Sequence, residues 1–351
     1  MSDADDAGGH ADTMRERAAE SRTKLWLLLD ADRWLVTGVV LVGIFLVLVA
    51  TSVLAPVSLR SIVGQSDPVE TLFQALITAI ITGVTLVVTI TQLVLSQELG
   101  AVGDQRERME GAMSFRDDVE DALDAPVSPP EPAAFLRALV DGTQARAEEL
   151  REAVADHDEQ LRERVDAYTD GLNENANLVG DRLEDAQFGT FQVVFAALDY
   201  NYSWKIYEAR RLRAEYEDTL ADEARDALDE VIQTLQLFGP AREHIKTLYF
   251  QWELTNLSRT ILYAAVPALI VAIWGVLFLD TTGTVTGATL GIDNLVWVIA
   301  GTTTLSLAPF ALLLAYVLRI ATVAKRTLAI GPFVLRETDR SESIDWDDAD
   351  E

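Results

Sequence analysis

Four apolar stretches, each nearly free of charge until its end, divide this chain: residues 34–54, 72–95, 261–279 and 295–318. A helix needs roughly 20 such residues to cross the hydrocarbon of a bilayer. In lipid the backbone must satisfy its own hydrogen bonds, so a lone run of this length has one stable form, the α-helix. Four membrane crossings are therefore expected. Everything else in the molecule must fit around them.

The second stretch carries a polar stripe. Thr71, Gln74, Thr78, Thr82, Thr85, Thr89, Gln92 and Ser96 follow one another at steps of three or four, among Leu, Ile, Val and Ala. That spacing places all eight on one face of a helix. A helix that met only lipid would have no use for it, so this face is expected to meet protein or water at every depth. In one reading, several copies of the chain assemble and the stripe lines a pore. Rings of hydroxyls and amides then replace part of an ion's hydration shell. In the other, the stripe is a packing face. Thr and Ser can bond their own i−4 carbonyl, and interhelical hydrogen bonds of this kind are worth only about 0.6 kcal/mol. Ala75, Ala79 and Gly83 would permit close packing. Gln74 and Gln92 favour the pore, because amides are harder to hide. Gln97, Glu98 and Asp104 would stand at its cytoplasmic mouth, on a helical pattern that continues toward Arg116. Without a pore they are ordinary headgroup-level residues. Pro267 in the third stretch and Pro309 in the fourth are hinge candidates, Pro309 beside Thr302, Thr303, Thr304 and Ser306. A static kink is the alternative.

The balance of 56 acidic against 28 basic residues gives a net charge of −28, and only four of the basic residues are lysine. Excess Asp and Glu with scarce Lys resembles proteins adapted to molar salt, as in halophilic archaea; a basic partner or a solvating tail is the alternative. At about 1 M salt the Debye length is ~3 Å, so long-range attraction by such a surface is nearly nil. The absence of cysteine excludes disulfides and Cys-based zinc sites. His10, His157 and His244 have no metal-binding spacing, so no metal or cofactor is expected. Nucleotide-binding, hydrolase and zinc-protease motifs are missing, and so is a basic stripe for nucleic acid. The sequence names no catalytic residue, and an enzyme is not expected.

Basic residues orient the crossings. Arg15, Arg17, Arg22, Lys24 and Arg33 precede the first; Arg106, Arg108 and Arg116 follow the second. Arg242, Lys246 and Arg259 precede the third, and Arg319, Lys325, Arg326 and Arg336 follow the fourth. The loop 55–71 has only Arg60, and 280–294 has none. Both termini and the middle of the chain are expected in the cytoplasm, and the protein in the cell membrane. The expected layout is an acidic mobile tail (1–22), an interfacial segment with Trp26 and Trp34 and a first membrane hairpin (23–96), a cytoplasmic helical domain (97–259), a second hairpin (260–329) and an acidic tail (330–351). Within the domain, Ala147, Leu150, Val154, His157, Leu161, Val165, Tyr168 and Leu172 form a seam of the coiled-coil kind over 147–172. That seam would help to hold subunits together. An aromatic-rich helix is expected over 188–213, and a third that Gly239–Pro240 breaks or kinks. No strand pattern stands out. The fold class is all-α: four transmembrane helices in two hairpins with an inserted helical cytoplasmic domain.

Over residues 24–330 this layout is similar to bestrophin-type anion channels, in topology alone. In that family the second span lines the pore of a pentamer and carries an aromatic neck; here that span has a single phenylalanine, Phe73. No residue role and no anion selectivity carry over. The chain also resembles four-span membrane proteins of haloarchaea. The leading expectation is a homo-oligomeric ion channel lined by the second span, with the lipid bilayer and further copies of itself as partners. The other is a non-conducting membrane scaffold or sensor that presents its helical domain to a cytoplasmic protein.

Overall fold

The computed structural model describes residues 32–64, 67–184, 186, 191–279, 283 and 285–326. The two acidic tails and most of the interfacial segment lie outside these residues. Within them the chain is mostly helical and divides into two compact units. The described residues of one lie within 102–249 and 325–326; those of the other lie within 32–101 and 250–324.

The first unit holds α4 (Val102–Ala122), α5 (Pro132–Ala153), α6 (Glu159–Glu184), α7 (Phe191–Asp199), α8 (Tyr202–Glu215) and the residues up to Tyr249 of α9 (Asp222–Phe278). Its core is a single cluster that includes Val119, Leu136, Leu139, Leu150, Leu161, Leu172, Leu228, Leu235 and Phe238. The expected continuous seam is instead a hairpin. Ala147 and Leu150 lie on α5, Val154 and His157 in the connection, and Leu161, Val165, Tyr168 and Leu172 on α6. The cause is local. The Leu161 N–H donates to the Asp158 carboxylate at 2.9 Å, an N-cap that starts a new helix. The seam then folds onto itself, and all its members except His157 are buried within the chain. It is not an intersubunit contact. The His157 Nε2 accepts from the Ala221 N–H at 3.1 Å, where α9 begins.

Two further corrections concern this unit. The aromatic helix expected over 188–213 is interrupted between α7 and α8, because Asn175 serves the backbone there. Its Nδ2 donates to the Asp199 carbonyl, and its Oδ1 accepts from the Asn201 N–H, both at 3.0 Å. Asp199, fully buried, pairs with Arg182. Conversely, α9 runs through Gly239–Pro240 without a break. Proline removes one ladder hydrogen bond, but Phe238 and Ala241 on either side are locked in the core. The small Gly239 also admits the Tyr202 ring, which would lie 3.2 Å from an added Cβ.

The second unit holds α1 (Arg33–Leu54), the short α2 (Leu59–Val63), α3 (Pro68–Glu98), α9 from Phe250 onward, a hairpin of β1 (Ala288–Thr289) and β2 (Ile292–Asp293), α10 (Asn294–Ser306) and the residues up to Ala324 of α11 (Ala308–Arg326). Leu290 and Gly291 both have positive φ, 57° and 78°, as a two-residue hairpin turn of the primed type requires. Strands this short leave no alternation for a sequence reading to find. Among the described residues three helices, α1, α3 and α9, are long and apolar enough to cross a membrane. The number rises to four if α10 and α11, bent by 46° at their junction, act as one. The fourth apolar stretch is thus two helices. Pro309, the second residue of α11, has no N–H to give the Leu305 carbonyl. Pro267 sits inside the unbroken α9, so of the two hinge candidates only Pro309 lies at a break.

Candidate functional site

Helix α3 has two opposite faces. Val69, Phe73, Leu76 and Ile80 are buried in a cluster with Ala265, Ala268 and Ala272 of the second unit's part of α9, Leu279 just past its end and Leu295 of α10. Small residues on α9 let the two helices approach closely. A Cβ added to Gly275 would lie 2.8 Å from the Phe73 ring. Phe73 therefore points away from the stripe and lines nothing on the polar side. Further along, Val87 packs with Leu257, Ile261 and Tyr316.

The other face carries Thr71, Gln74, Thr78, Thr82, Thr85, Thr89, Gln92 and Ser96, and all eight are exposed. The structure brings every stripe residue to one uncovered side of one helix. Each hydroxyl proton stays within α3 and its cap. Thr71 donates to the Asp67 carbonyl and Thr78 to that of Gln74, both at 3.0 Å. Thr82, Thr85 and Thr89 donate at 2.8 Å to the carbonyls four residues back, and Ser96 donates to Leu93 at 2.7 Å. The Gln74 amide donates to the Glu70 carboxylate at 2.8 Å. What remains toward the outside is a ladder of hydroxyl oxygens whose lone pairs are still available to accept.

The mouth candidates divide between the two units. Gln97 and Glu98 end α3, and their side chains lie outside the described residues. Asp104 is an exposed residue of α4, in the other unit. Beside the α10–α11 break, Thr302 donates to the Val298 carbonyl at 2.7 Å and Ser306 to that of Thr302 at 2.8 Å. The Thr303 and Thr304 hydroxyls are buried without a hydrogen-bond partner among the described residues.

Two charged pairs in this unit escape the sequence reading. Glu253 of α9, fully buried, pairs with Arg33 at the start of α1, whose guanidinium lies 4.6 Å from the Tyr316 ring centre of α11. This contact ties three helices from opposite ends of the chain. A hint existed, since Glu253 is a carboxylate flanked by Trp252 and Leu254 just before an apolar stretch. The second pair joins the loops. Arg60 grips both oxygens of Asp293 at 2.7 Å and also donates to the Val285 carbonyl at 2.7 Å. Those hydrogen bonds, with one from the Leu295 N–H, hold the Asp293 carboxyl down at about 2. Arg60 was visible as the only basic residue of its loop; its partner was not.

Helices able to cross a membrane, one of them polar along an uncovered face, define a class: an α-helical membrane protein. More particularly, the chain belongs to DUF7972, a family of unknown function whose model matches residues 1–348. No curated protein and no solved structure matches the chain.

Proposed function

We propose that copies of this chain assemble in the cell membrane around a shared axis lined by α3 and conduct an ion along it. In this reading the chain crosses four times, with α10 and α11 as one broken span. Both termini and the inserted helical domain face the cytoplasm. The observation that carries it is the exposure of all eight stripe residues from Thr71 to Ser96. At about 1.5 Å per residue, this stretch is long enough for the roughly 30 Å hydrocarbon layer. Threonines that bond their own backbone tolerate lipid, but an amide without a partner in hydrocarbon costs several kcal/mol. Gln92, exposed near the end of the stripe, therefore favours water or a neighbouring copy over lipid. The test is native mass spectrometry of the protein in nanodiscs, together with current recording in planar bilayers. A closed oligomer with unitary currents is expected. A monomer, or an oligomer that stays silent, contradicts the reading.

A second reading, a non-conducting scaffold, draws on α4. Residues 102–114 are all exposed, among them Val102, Met109 and Met113. A helix face of this kind suits a cytoplasmic protein partner. If the scaffold reading is right, full-length protein yields no current and recovers a defined partner that Met109→Asp abolishes.

A further inference from the structure

The threonine ladder also constrains the ion. We infer that the α3 pathway takes monovalent cations and excludes anions; this rests on the pore reading above and names its substrate class. The first observation is the direction of the hydroxyl protons. At Thr71, Thr78, Thr82, Thr85, Thr89 and Ser96 the proton is committed to a backbone carbonyl at 2.7–3.0 Å. The oxygen is then the group left to face a passing ion. Hydroxyl oxygens are ligands for Na⁺ or K⁺, whereas a halide needs donors. Of the stripe's two amides, Gln74 directs one of its two N–H bonds at Glu70.

The second observation is charge, and it is independent of the first. No Lys or Arg occurs anywhere from residue 61 to residue 105. Carboxylates stand at the N-terminal end of α3, where Asp67 precedes it and Glu70 lies in its first turn. By sequence, Glu98 closes the helix. The C-terminal end of a helix carries a partial negative charge from its unsatisfied carbonyls, which again favours a cation. No basic side chain over this stretch offers a halide a counter-charge. At about 1 M salt the long-range field would be screened within ~3 Å, so discrimination there must come from direct contact. A ladder of oxygens in contact with the ion supplies it.

Replacing Thr85 by valine keeps the shape and removes the oxygen, while serine restores it. The experiment is current recording from the full-length protein in a bilayer with a KCl gradient, repeated with gluconate in place of chloride. The reversal potential is expected to follow K⁺, with a K⁺ over Cl⁻ permeability ratio above one. Gluconate should change nothing. Thr82→Val and Thr85→Val should cut the K⁺ current several-fold at unchanged oligomer mass, and Thr85→Ser should restore it. A ratio at or below one overturns the cation assignment and leaves the pore standing. Valine variants with unaltered current and selectivity overturn the hydroxyl ladder as the contact. No current with any salt overturns the pore, and the ion assignment with it.

Discussion

The helical unit on residues 102–249 and the apolar unit on 32–101 and 250–324 use exposure in opposite senses. In the first, Leu139, Leu150, Leu172 and Leu235 are fully buried, and the surface is charged. In the second, Trp34, Val39, Val42, Leu46 and Leu54 of α1 are exposed, and only 11% of that helix's most apolar window is buried. A water-facing unit buries its apolar atoms to gain stability. A lipid-facing unit gains nothing by doing so and coheres through close packing and polar contacts. An exposed leucine on α1 is therefore ordinary, whereas an exposed threonine ladder on α3 calls for explanation.

The contrast is sharpest for leucine. Leu172→Ala in the helical unit removes a fully buried side chain and is expected to cost about 2–5 kcal/mol. Leu46→Ala, 59% exposed on α1, should change stability by no more than about 0.5 kcal/mol. Chemical denaturation of both variants in the same detergent checks the pair. Equal costs would break the comparison. Next comes Gly275→Ala. Its Cβ would lie 2.8 Å from the Phe73 ring, so α3 and α9 must move apart, at about 1–3 kcal/mol by overpacking. Thermal unfolding in detergent measures it, and Phe73→Leu should relieve part of the loss.

How much of this was legible follows from what each feature depends on. The α3 stripe was readable because a single periodicity governs it from Thr71 to Ser96. The α5–α6 turn was hidden because steps of three and four continue through Val154, His157 and Leu161 as though no turn intervened. Asp158, the capping residue, was the overlooked signal. The break between α7 and α8 depends on Asn175, more than 20 residues earlier in the chain, and local patterns carry no trace of that. Gly239–Pro240 misled in the other direction, since tertiary packing overrode two helix breakers. Arg33 and Glu253 lie 220 residues apart, beyond any local pattern. Polar faces and apolar lengths are one-dimensional properties; pairings are not.

A smaller effect separates the ion pair between the loops from both packing surfaces. The Asp293 carboxyl is held at about 2, against an ordinary 3.8, chiefly by the Arg60 hydrogen bonds. A depressed carboxyl contributes stability above its unfolded value, and that contribution fades as pH falls from about 4 through about 2. Solvent reaches both partners, so the change should be modest. Melting curves at pH 5 and pH 2.5 should differ less in Asp293→Asn than in the unaltered protein. The smallest effect is expected from Thr78→Val, whose lost hydroxyl bonds only its own helix. Stability should stay within about 0.5 kcal/mol, as denaturant midpoints in detergent would register. A larger loss would mean that the stripe holds the unit together.

The central claim is that the threonine side of α3 looks onto water shared between copies. Because the chain has no cysteine, single cysteines can be placed without background. The decisive measurement is the labelling rate by a water-soluble, membrane-impermeant thiol reagent at positions 78, 82, 85, 89 and 92, against positions 86 and 90 on the same helix, in intact membranes. The account predicts rapid labelling of the first set and protection of the second. Protection throughout, or labelling without regard to face, would contradict it.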